Sequence, residues 1–580
     1  ALDAEIKSLY QRAGIAHVLA ISGLHISLLG MGLYRLLRKR LHTRYVTAAL
    51  ATTVFLISYA VLSGNGVSTQ RAVGMCLIYL FADVTGYAYD MLNALGIVVL
   101  VLLWENPFLL SYSGFVFSVM AVIAIGVGAN VLLEWEHSWK RRQQAGEETI
   151  KKTFFSRQKE GILVSFAIQL FTIPLVAYSY YEIPVYAMLI NLFVLAVVNG
   201  LLGLTVLGVI VGMAFLPAGR VLFAPCGWML DSYRFLCEVS LKIPGAQRIT
   251  GKPAHMRIFW YYLGLGVFLL AIYACARRNE KHKDCRETAD LCVSRRKKRL
   301  QGIVFSCFIA FLLLFLLFPQ KKSFEIDFLD VGQGDGIYLC TGGGTSMFID
   351  GGSTDVKQVG KYRILPFLKA KGVSEISYWF VSHTDTDHVS GLKEVLVSGY
   401  RVEYLVFAKA VEKEAKTKEL AELARSHGTK VLYMQAGDTV RSKRAAMRCL
   451  YPKASDKAED VNDLCLVLQF EEGDISALFG GDISTDVEEQ LLRRRKWDKV
   501  LVFKADHHGS RYANAEALLK CIRPEITVAS AGKDNRYGHP SPDAVQRIKE
   551  SGSRFFCTIE GGRIRVRVIE NKLVCETYVK

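Results

Sequence analysis

The residues with the greatest chemical potential lie in one segment, ISYWFVSHTDTDHVSGL, from Ile376 to Leu392. His383, Asp385, Asp387 and His388 fall within six consecutive positions, directly after Ile376 to Val381, which is rich in β-branched and aromatic residues and reads as a buried strand. Imidazole nitrogens and carboxylate oxygens gathered at one strand end can hold two adjacent divalent ions. A second strand, 476–479, ends in Gly480-Gly481-Asp482; a third, 500–503, ends in Lys504-Ala505-Asp506-His507-His508-Gly509-Ser510. One Asp-His pair in a loop is ordinary solvated surface, but three strands ending the same way predict clusters converging on one rim of a sheet. From Lys321 onward, five of six histidines (His383, His388, His507, His508 and His539) sit in loops with Asp or Gly, while His427 reads as a helix C-terminal residue.

Two further segments belong with these clusters. FEIDFLDVGQGDGIYL, from Phe324 to Leu339, reads as strand, glycine turn and strand. Asp330, Gln333 and Asp335 either brace the metal loop or a substrate, or Gly332, Gly334 and Asp335 simply make the turn. GHPSPDAV sets His539 before a helix opened by Ser541 and Pro542, where an imidazole can protonate a leaving group or hold a phosphate. Lys504 and Ser510 flank the histidine pair as supporting or substrate-contacting groups. The triple glycine at 342–344 predicts a hairpin, because no helix or Lys-Ser/Thr pair follows as a phosphate loop requires. Strand–helix alternation over 323–580, ending in strands at about 554–558, 562–568 and 573–578, predicts an αββα sandwich.

The elements before residue 318 are of another kind. The 580-residue chain is 51% hydrophobic, and most of that excess precedes residue 318, as apolar blocks with short polar punctuation. A membrane span needs about 20 apolar residues. Windows at about 16–34, 46–63, 71–84, 91–104, 113–133, 161–181, 186–216 (long enough for two), 256–276 and 302–318 predict nine to eleven spans, while 221–241 mixes charged and apolar residues and reads as an interfacial or buried amphipathic helix. The net charge of +17 collects between the blocks: Arg35 to Arg44, Lys140 to Lys159, and Arg277 to Arg299 with ten Lys/Arg against four acids. The turns at Gly64 to Gln70, Glu105 to Tyr112 and Glu182 to Val185 hold no Lys or Arg. The positive-inside rule then puts the basic loops in the cytoplasm and the C-terminal domain outside. The 13 cysteines form no CxxC pair, which points to neither a disulfide framework nor a cysteine zinc site. The start at Ala1, with no initiator methionine or signal peptide, reads as a truncation.

Polar groups inside the apolar blocks must face protein or water, because burying them in lipid costs kilocalories each. His17, Ser22, Gly23 and His25 lie in AHVLAISGLHISLL, and Arg71 in VLSGNGVSTQRAVGM; Asn191 follows Pro174 and Pro184. Ser22 and Gly23 serve helix packing as readily as a pathway, whereas Arg71 and the two histidines read as pathway groups.

The run from His17 to His25, L-S-G…R-A…M from Leu62 to Met75, N-P…G-F…S…A from Asn106 to Ala121, and the series Pro174, Pro184, Asn191 resemble the membrane domain of the ComEC-type proteins of natural competence. DVGQGD, SHTDTDHVSGL, GGDIS, DHHGS and GHPSPD resemble the C-terminal domain of the same family, which has a metallo-β-lactamase fold. The resemblance implies a polytopic α-helical membrane domain over 1–276, a basic cytoplasmic loop over 277–301, a final span at 302–318, and an extracytoplasmic metallo-β-lactamase-like αββα domain over 323–580. Carried over by position, His383 and Asp385 bind a first ion, Asp387 and His388 a second, Asp482 bridges, and one of His507 and His508 completes the second site; Asp387 and, from the reading of its loop, His539 are the catalytic candidates. The fold's usual pattern is HxHxDH, a later histidine, a bridging Asp and a final histidine. Here Asp385 replaces a histidine and Val461-Asn462-Asp463-Leu464 supplies none at the third position, so oxygen donors favour Mn²⁺ or Mg²⁺ relative to Zn²⁺. The implied function is uptake of single-stranded DNA through the membrane, with the metal site processing the other strand and further uptake machinery as partners. The OB-fold domain such proteins commonly carry near the N-terminus has no counterpart here. A membrane-anchored hydrolase of a lactam, lactone or small phosphodiester is the alternative, and a channel whose soluble domain merely binds is a third.

Overall fold

A computed structural model describes residues 4–15, 23–143, 154–281, 290–319, 322–458, 460–570 and 572–579. It divides at Phe318 into a helical unit and a sheet-rich unit.

In the helical unit, five helical stretches among the described residues are long and apolar enough to cross a membrane: Tyr45–Leu62, Ser113–Trp139, Lys159–Tyr180, His255–Arg278 and Arg296–Leu316. Their exposed faces carry large apolar side chains such as Val54, Leu270 and Phe311, the surface a lipid-facing helix presents. The protein is an integral membrane protein. Other windows give helices below that threshold. Met91–Glu105 has 15 residues, and Val67–Thr85 carries Gln70, Arg71 and Asp83. The window 186–216 forms one 28-residue helix, Ala187–Ala214, and not two: no proline interrupts it, and the Asn199-Gly200 turn signal is overridden by the apolar run on either side. The stretch 221–241 belongs to Leu216–Lys242, which folds back on that helix. A Cβ at Gly219 would stand 2.5 Å from the Gly212 Cα, so glycines let the two backbones touch. The described residues of the basic segment 277–301 are helical: one helix runs to Lys281 and another is described from Asp290. Lys and Arg are good helix formers, so each helix outruns its apolar stretch.

Pro174 stays inside the helix Phe154–Tyr180, and Asn106 lies at a helix end, where its Oδ1 accepts the Phe108 N–H at 3.0 Å. Neither breaks a helix at depth. Arg71 and Asn191 are buried within their helices. Arg71 reaches the Met75 sulfur at 3.6 Å and its guanidinium faces Gly23, where a Cβ would stand 3.2 Å from Nη2. His25 lies in Gly23–Ile26, which continues as a π-helical turn over Ser27–Met31. His17 and Ser22 lie outside the described residues.

The sheet-rich unit contains fifteen strands, labelled here in chain order: β1 Glu325–Phe328, β2 Gly336–Cys340, β3 Ser346–Asp350, β4 Glu375–Phe380, β5 Arg401–Ala408, β6 Lys430–Met434, β7 Thr439–Ser442, β8 Ala445–Tyr451, β9 Val467–Glu472, β10 Ile475–Phe479, β11 Val502–Lys504, β12 Ile526–Ala529, β13 Arg554–Cys557, β14 Ile564–Ile569 and β15 Lys572–Thr577. One sheet has the order β15-β14-β1-β2-β3-β4-β5-β6 and the other β13-β12-β11-β10-β9-β8-β7. Each is antiparallel at one end and parallel at the other: β3 to β6 in the first and β10 to β13 in the second run parallel. The inner faces meet through Phe328, Leu339, Phe380, Met447, Phe470 and Phe479. Helices Thr386–Val397 and Ala415–Ser426 cover the first sheet through Leu392, Leu396 and Leu420; Thr485–Arg494, Glu516–Ile522 and Pro542–Glu550 cover the second through Leu491, Leu519 and Ile548. This is the αββα sandwich that the alternation predicts.

Candidate metal centre

The three strand-end clusters do meet, but on two sheets and not on one rim. β4 delivers His383 to His388 from the first sheet, while β10 and β11 deliver Asp482 and His508 from the second. The parallel halves of both sheets have their C-terminal strand ends at the same edge, so the loops close over the seam between the layers.

Asp482 stands in the middle. Its Oδ2 lies 3.3 Å from His388 Nε2 and 3.2 Å from His508 Nε2. Asp335, His388, Asp482 and His508, all buried, present ligand atoms within 4.8 Å of one another, and His383, Asp387 and His388 form a second group that shares His388. The orientation of each imidazole has a cause. His508 Nδ1 donates to the Ser530 carbonyl at 2.9 Å, which fixes the proton there and turns Nε2 inward. His388 Nδ1 sits 3.0 Å from Asp350 Oδ2, and Asp350 also accepts the Ser382 N–H and hydroxyl, each at 2.8 Å. His507 and His508 both have positive φ, 49° and 54°. That uncommon backbone sends one ring into the cluster and leaves the other at its mouth, with His507 Nε2 4.0 Å from Asp482 and one-third exposed.

Asp385 stands apart. Its side chain is 43% exposed, pairs with Lys416 at 2.9 Å and stays 3.9 Å from His383 Nε2. Asp335 joins the cluster, and its N–H donates to the Asp387 carbonyl at 3.1 Å. Gln333 braces a neighbouring loop by accepting the Gly532 N–H at 3.2 Å, and Asp330 forms a peripheral ion pair with Arg363 at 2.8 Å. Ser510 is buried, and its hydroxyl accepts the Tyr512 N–H at 3.3 Å. Lys504 is buried with its ammonium 2.5 Å from Asp335, 3.5 Å from Asp482 and 2.8 Å from the Gly481 carbonyl. His539 joins the rim, its ring centroid 5.4 Å from that of His507 and 6.1 Å from that of His508.

Burial resists ionisation throughout, and the neighbours decide the outcome. Burial disfavours the charged form of Asp482, but His508, His388 and Lys504 outweigh it and hold the carboxyl well below the usual range. Burial also opposes protonation of His388 and His508, yet Asp482 raises both well above the ordinary imidazole value. His383 goes the other way: burial, then His388, push it down to about 4. Burial with His508 and His507 lowers His539 to about 4 as well, which favours its neutral form near neutral pH.

The donor set fits a divalent ion. His388 Nε2 and His508 Nε2 are buried without a hydrogen-bond partner, and buried Asp335, Asp350 and Asp482 are balanced only while both imidazoles hold protons beside the ammonium of Lys504, protons that a divalent ion can replace. Such charge in a low-dielectric pocket calls for cations. Three participants escape the sequence reading: Asp350, Ser382 and Cys465. Cys465 directly follows Val461–Leu464, where the third histidine is missing; its sulfur lies 3.4 Å from His383 Nδ1 and accepts the Asp482 N–H at 3.4 Å.

Residues 1–274 match the family described as "Competence protein". Relatives extend over the whole chain: ComE operon protein 3 of Bacillus subtilis is 26% identical across 98% of this chain and 69% of its own length, and Recombination protein 2 of Haemophilus influenzae is 25% identical across 99% and 70%. Competence protein ComA of Neisseria gonorrhoeae is 23% identical across 96% and 71%. Among solved structures, the metallo-β-lactamase fold protein YhfI of Bacillus subtilis aligns over 42% of this chain and 100% of its own, with 11% identity and a TM-score of 0.30. The match to the competence family and the metal cluster thus lie in one chain, and its relatives align with it along nearly its whole length.

Proposed function

We propose that this chain carries DNA across the cytoplasmic membrane during natural transformation: a single strand passes through the helical unit, and the C-terminal unit is a metal-dependent nuclease or phosphodiesterase that processes the strand left behind. One observation carries the reading, the joining of a segment that matches the competence family to a buried Asp/His cluster at the rim of an αββα sandwich. Buried Arg71 and Asn191 support a polar path among the helices. The three basic segments against turns without Lys or Arg support a C-terminal unit outside the membrane.

His388, Asp482 and His508, with His383, Asp387 and Asp335, are the residues that would hold two divalent ions, Mn²⁺ or Zn²⁺ with Mg²⁺ as a third choice. Bound ions supply Lewis-acid stabilisation of the charge that develops on a phosphodiester. The residues themselves do the rest. Lys504 holds Asp335 and Asp482 ionised in a dry pocket, Asp350 and Ser530 aim the two imidazoles, and neutral His539 and His507 stand at the mouth to accept a proton or a hydrogen bond.

Full-length protein in detergent, supplied with Mn²⁺ or Zn²⁺ and offered single-stranded DNA, double-stranded DNA and a β-lactam, tests the hydrolase. Metal-dependent DNA cleavage should appear and fall at least about a hundredfold in Asp387→Ala, since loss of a group serving metal and chemistry costs several kilocalories. Intact DNA beside an opened lactam would replace this reading with the anchored-hydrolase one.

A further inference from the structure

Two loops at the mouth of the metal cluster repeat the dipeptide Arg-Tyr. Arg511-Tyr512 follows the histidine turn, and Arg536-Tyr537 precedes His539. Both tyrosines are exposed, Tyr512 at 73% and Tyr537 at 59%, whereas the other strongly exposed aromatic residues of the unit, Tyr362 and Tyr578, lie in other segments. An exposed tyrosine gives up burial worth a few kilocalories, so two of them beside one cleft call for a partner.

The loops are rigid neighbours. The Ser541 N–H donates to the Gly509 carbonyl at 2.9 Å, tying the second loop to the first. Thr485 holds the Tyr512 carbonyl through its N–H and its hydroxyl, each at 2.9 Å. Asn535 braces its own loop, accepting the His539 N–H at 2.9 Å and donating to the His539 carbonyl at 2.7 Å. The Tyr537 ring stacks on His539, centroids 5.7 Å apart and planes within 25°, and His539 stacks in turn on His508 at 6.1 Å and 29°. A file of rings therefore leads from solvent to the cluster. Arg511, Lys533 and Arg536 lie in the same two loops, exposed and engaged in no carboxylate ion pair among the described residues, with Asp534 offsetting one of the three charges.

Flat exposed rings alternating with unpaired cations are suited to a polymer that alternates flat apolar faces with anions. We propose that the two Arg-Tyr loops form a base-stacking platform that takes single-stranded nucleic acid: Tyr512 and Tyr537 stack unpaired bases, and Arg511 and Arg536 take the phosphates between them. This rests on the phosphodiesterase reading above. It adds the state of the substrate, because bases paired in a duplex cannot reach the rings, whereas a strand whose bases are free can lie across them toward the cluster.

Binding is measured on full-length protein in detergent with EDTA, so that cleavage plays no part and failure of the hydrolase reading is scored separately. A labelled oligothymidine strand is compared with an abasic strand of equal length, and an iodouracil-bearing strand is photo-crosslinked and mapped by peptide mass. Tyr512→Ala and Tyr537→Ala should each weaken oligothymidine binding at least about fivefold, Tyr→Phe at either position should restore it, and abasic binding should not respond. Crosslinks should fall on Tyr512, Tyr537 or His539. Crosslinks confined to other segments overturn the platform even if the helical unit dominates affinity. Equal binding of the abasic strand together with indifference to both alanine variants overturns it as well.

Discussion

Asp350 shows how much of the centre depends on residues that contribute no ligand atom to it. Its carboxylate collects Ser382 and His388 Nδ1, so that the His388 ring can turn only Nε2 toward Asp482. Asp350→Asn keeps the shape and removes the charge; metal affinity of the full-length protein should drop about 10- to 100-fold in a metal titration, the usual cost of losing an outer partner of a metal-binding histidine. The same electrostatics set a pH dependence. Asp482 holds protons on His388 and His508 well above the usual imidazole range, and an ion must displace them. Apparent affinity should therefore rise with pH, with protons released on binding, as calorimetry in buffers of different ionisation heat would register; a pH-independent affinity would contradict the assignment of these imidazoles. At this scale the sequence was legible where a ligand follows a strand. His383, His388, Asp482 and His508 all obey that grammar, and so does Asp350, in FIDGG, which could have been found by the same signal. Asp385 obeys it too, yet Lys416, distant in sequence, draws its carboxylate outward. The difference between His507 and His508 arises from two successive left-handed backbone conformations, which only the folded loop creates.

The elements explain why the clusters meet so closely. Gly334 has φ 146°, and a Cβ there would stand 2.4 Å from the Asp387 carbonyl; one at Gly352 would stand 2.4 Å from the Asp387 carbonyl carbon and 2.5 Å from the His388 nitrogen. The turn after β3 and the loop between β1 and β2 thus press bare backbone against the metal loop. Gly352→Ala should push the loop that carries Asp387 and His388 out of place, destabilising the unit by about 1–3 kcal/mol and lowering metal affinity together with the melting temperature. A variant that melts like the parent and binds metal normally would show that the loop has room the structure denies it. Strand alternation made the sandwich readable from sequence, because buried β-branched runs and glycine turns are local signals. Which sheet each strand joins was not readable: β10 and β11 lie opposite β4 only through contacts between layers. The expectation of a single rim failed for that reason.

Across the whole molecule, the helical unit was legible as apolar blocks, but block edges misled wherever basic residues continue a helix or glycines close a hairpin, as at 277–301 and 186–241. Arg71 is the group on which a path through that unit can be tested. Arg71→Ala in a competent host should lower transformation at least about tenfold, given the cost of keeping such a side chain buried for no purpose. Alkaline phosphatase fused after Lys580 should be active in both parent and variant, reporting a C-terminus outside the cytoplasm and a variant that still inserts. Transformation at the parental level, or an inactive fusion, would each refute its part of the proposal. The sheet order has one more consequence. β1, the first strand after the last apolar helix, is not an edge strand; β14, from near the end of the chain, and β2 grip it from both sides in antiparallel register. β1 is therefore held by two ladders of hydrogen bonds at once, and the second of them closes only after residues 564–567 have joined the sheet.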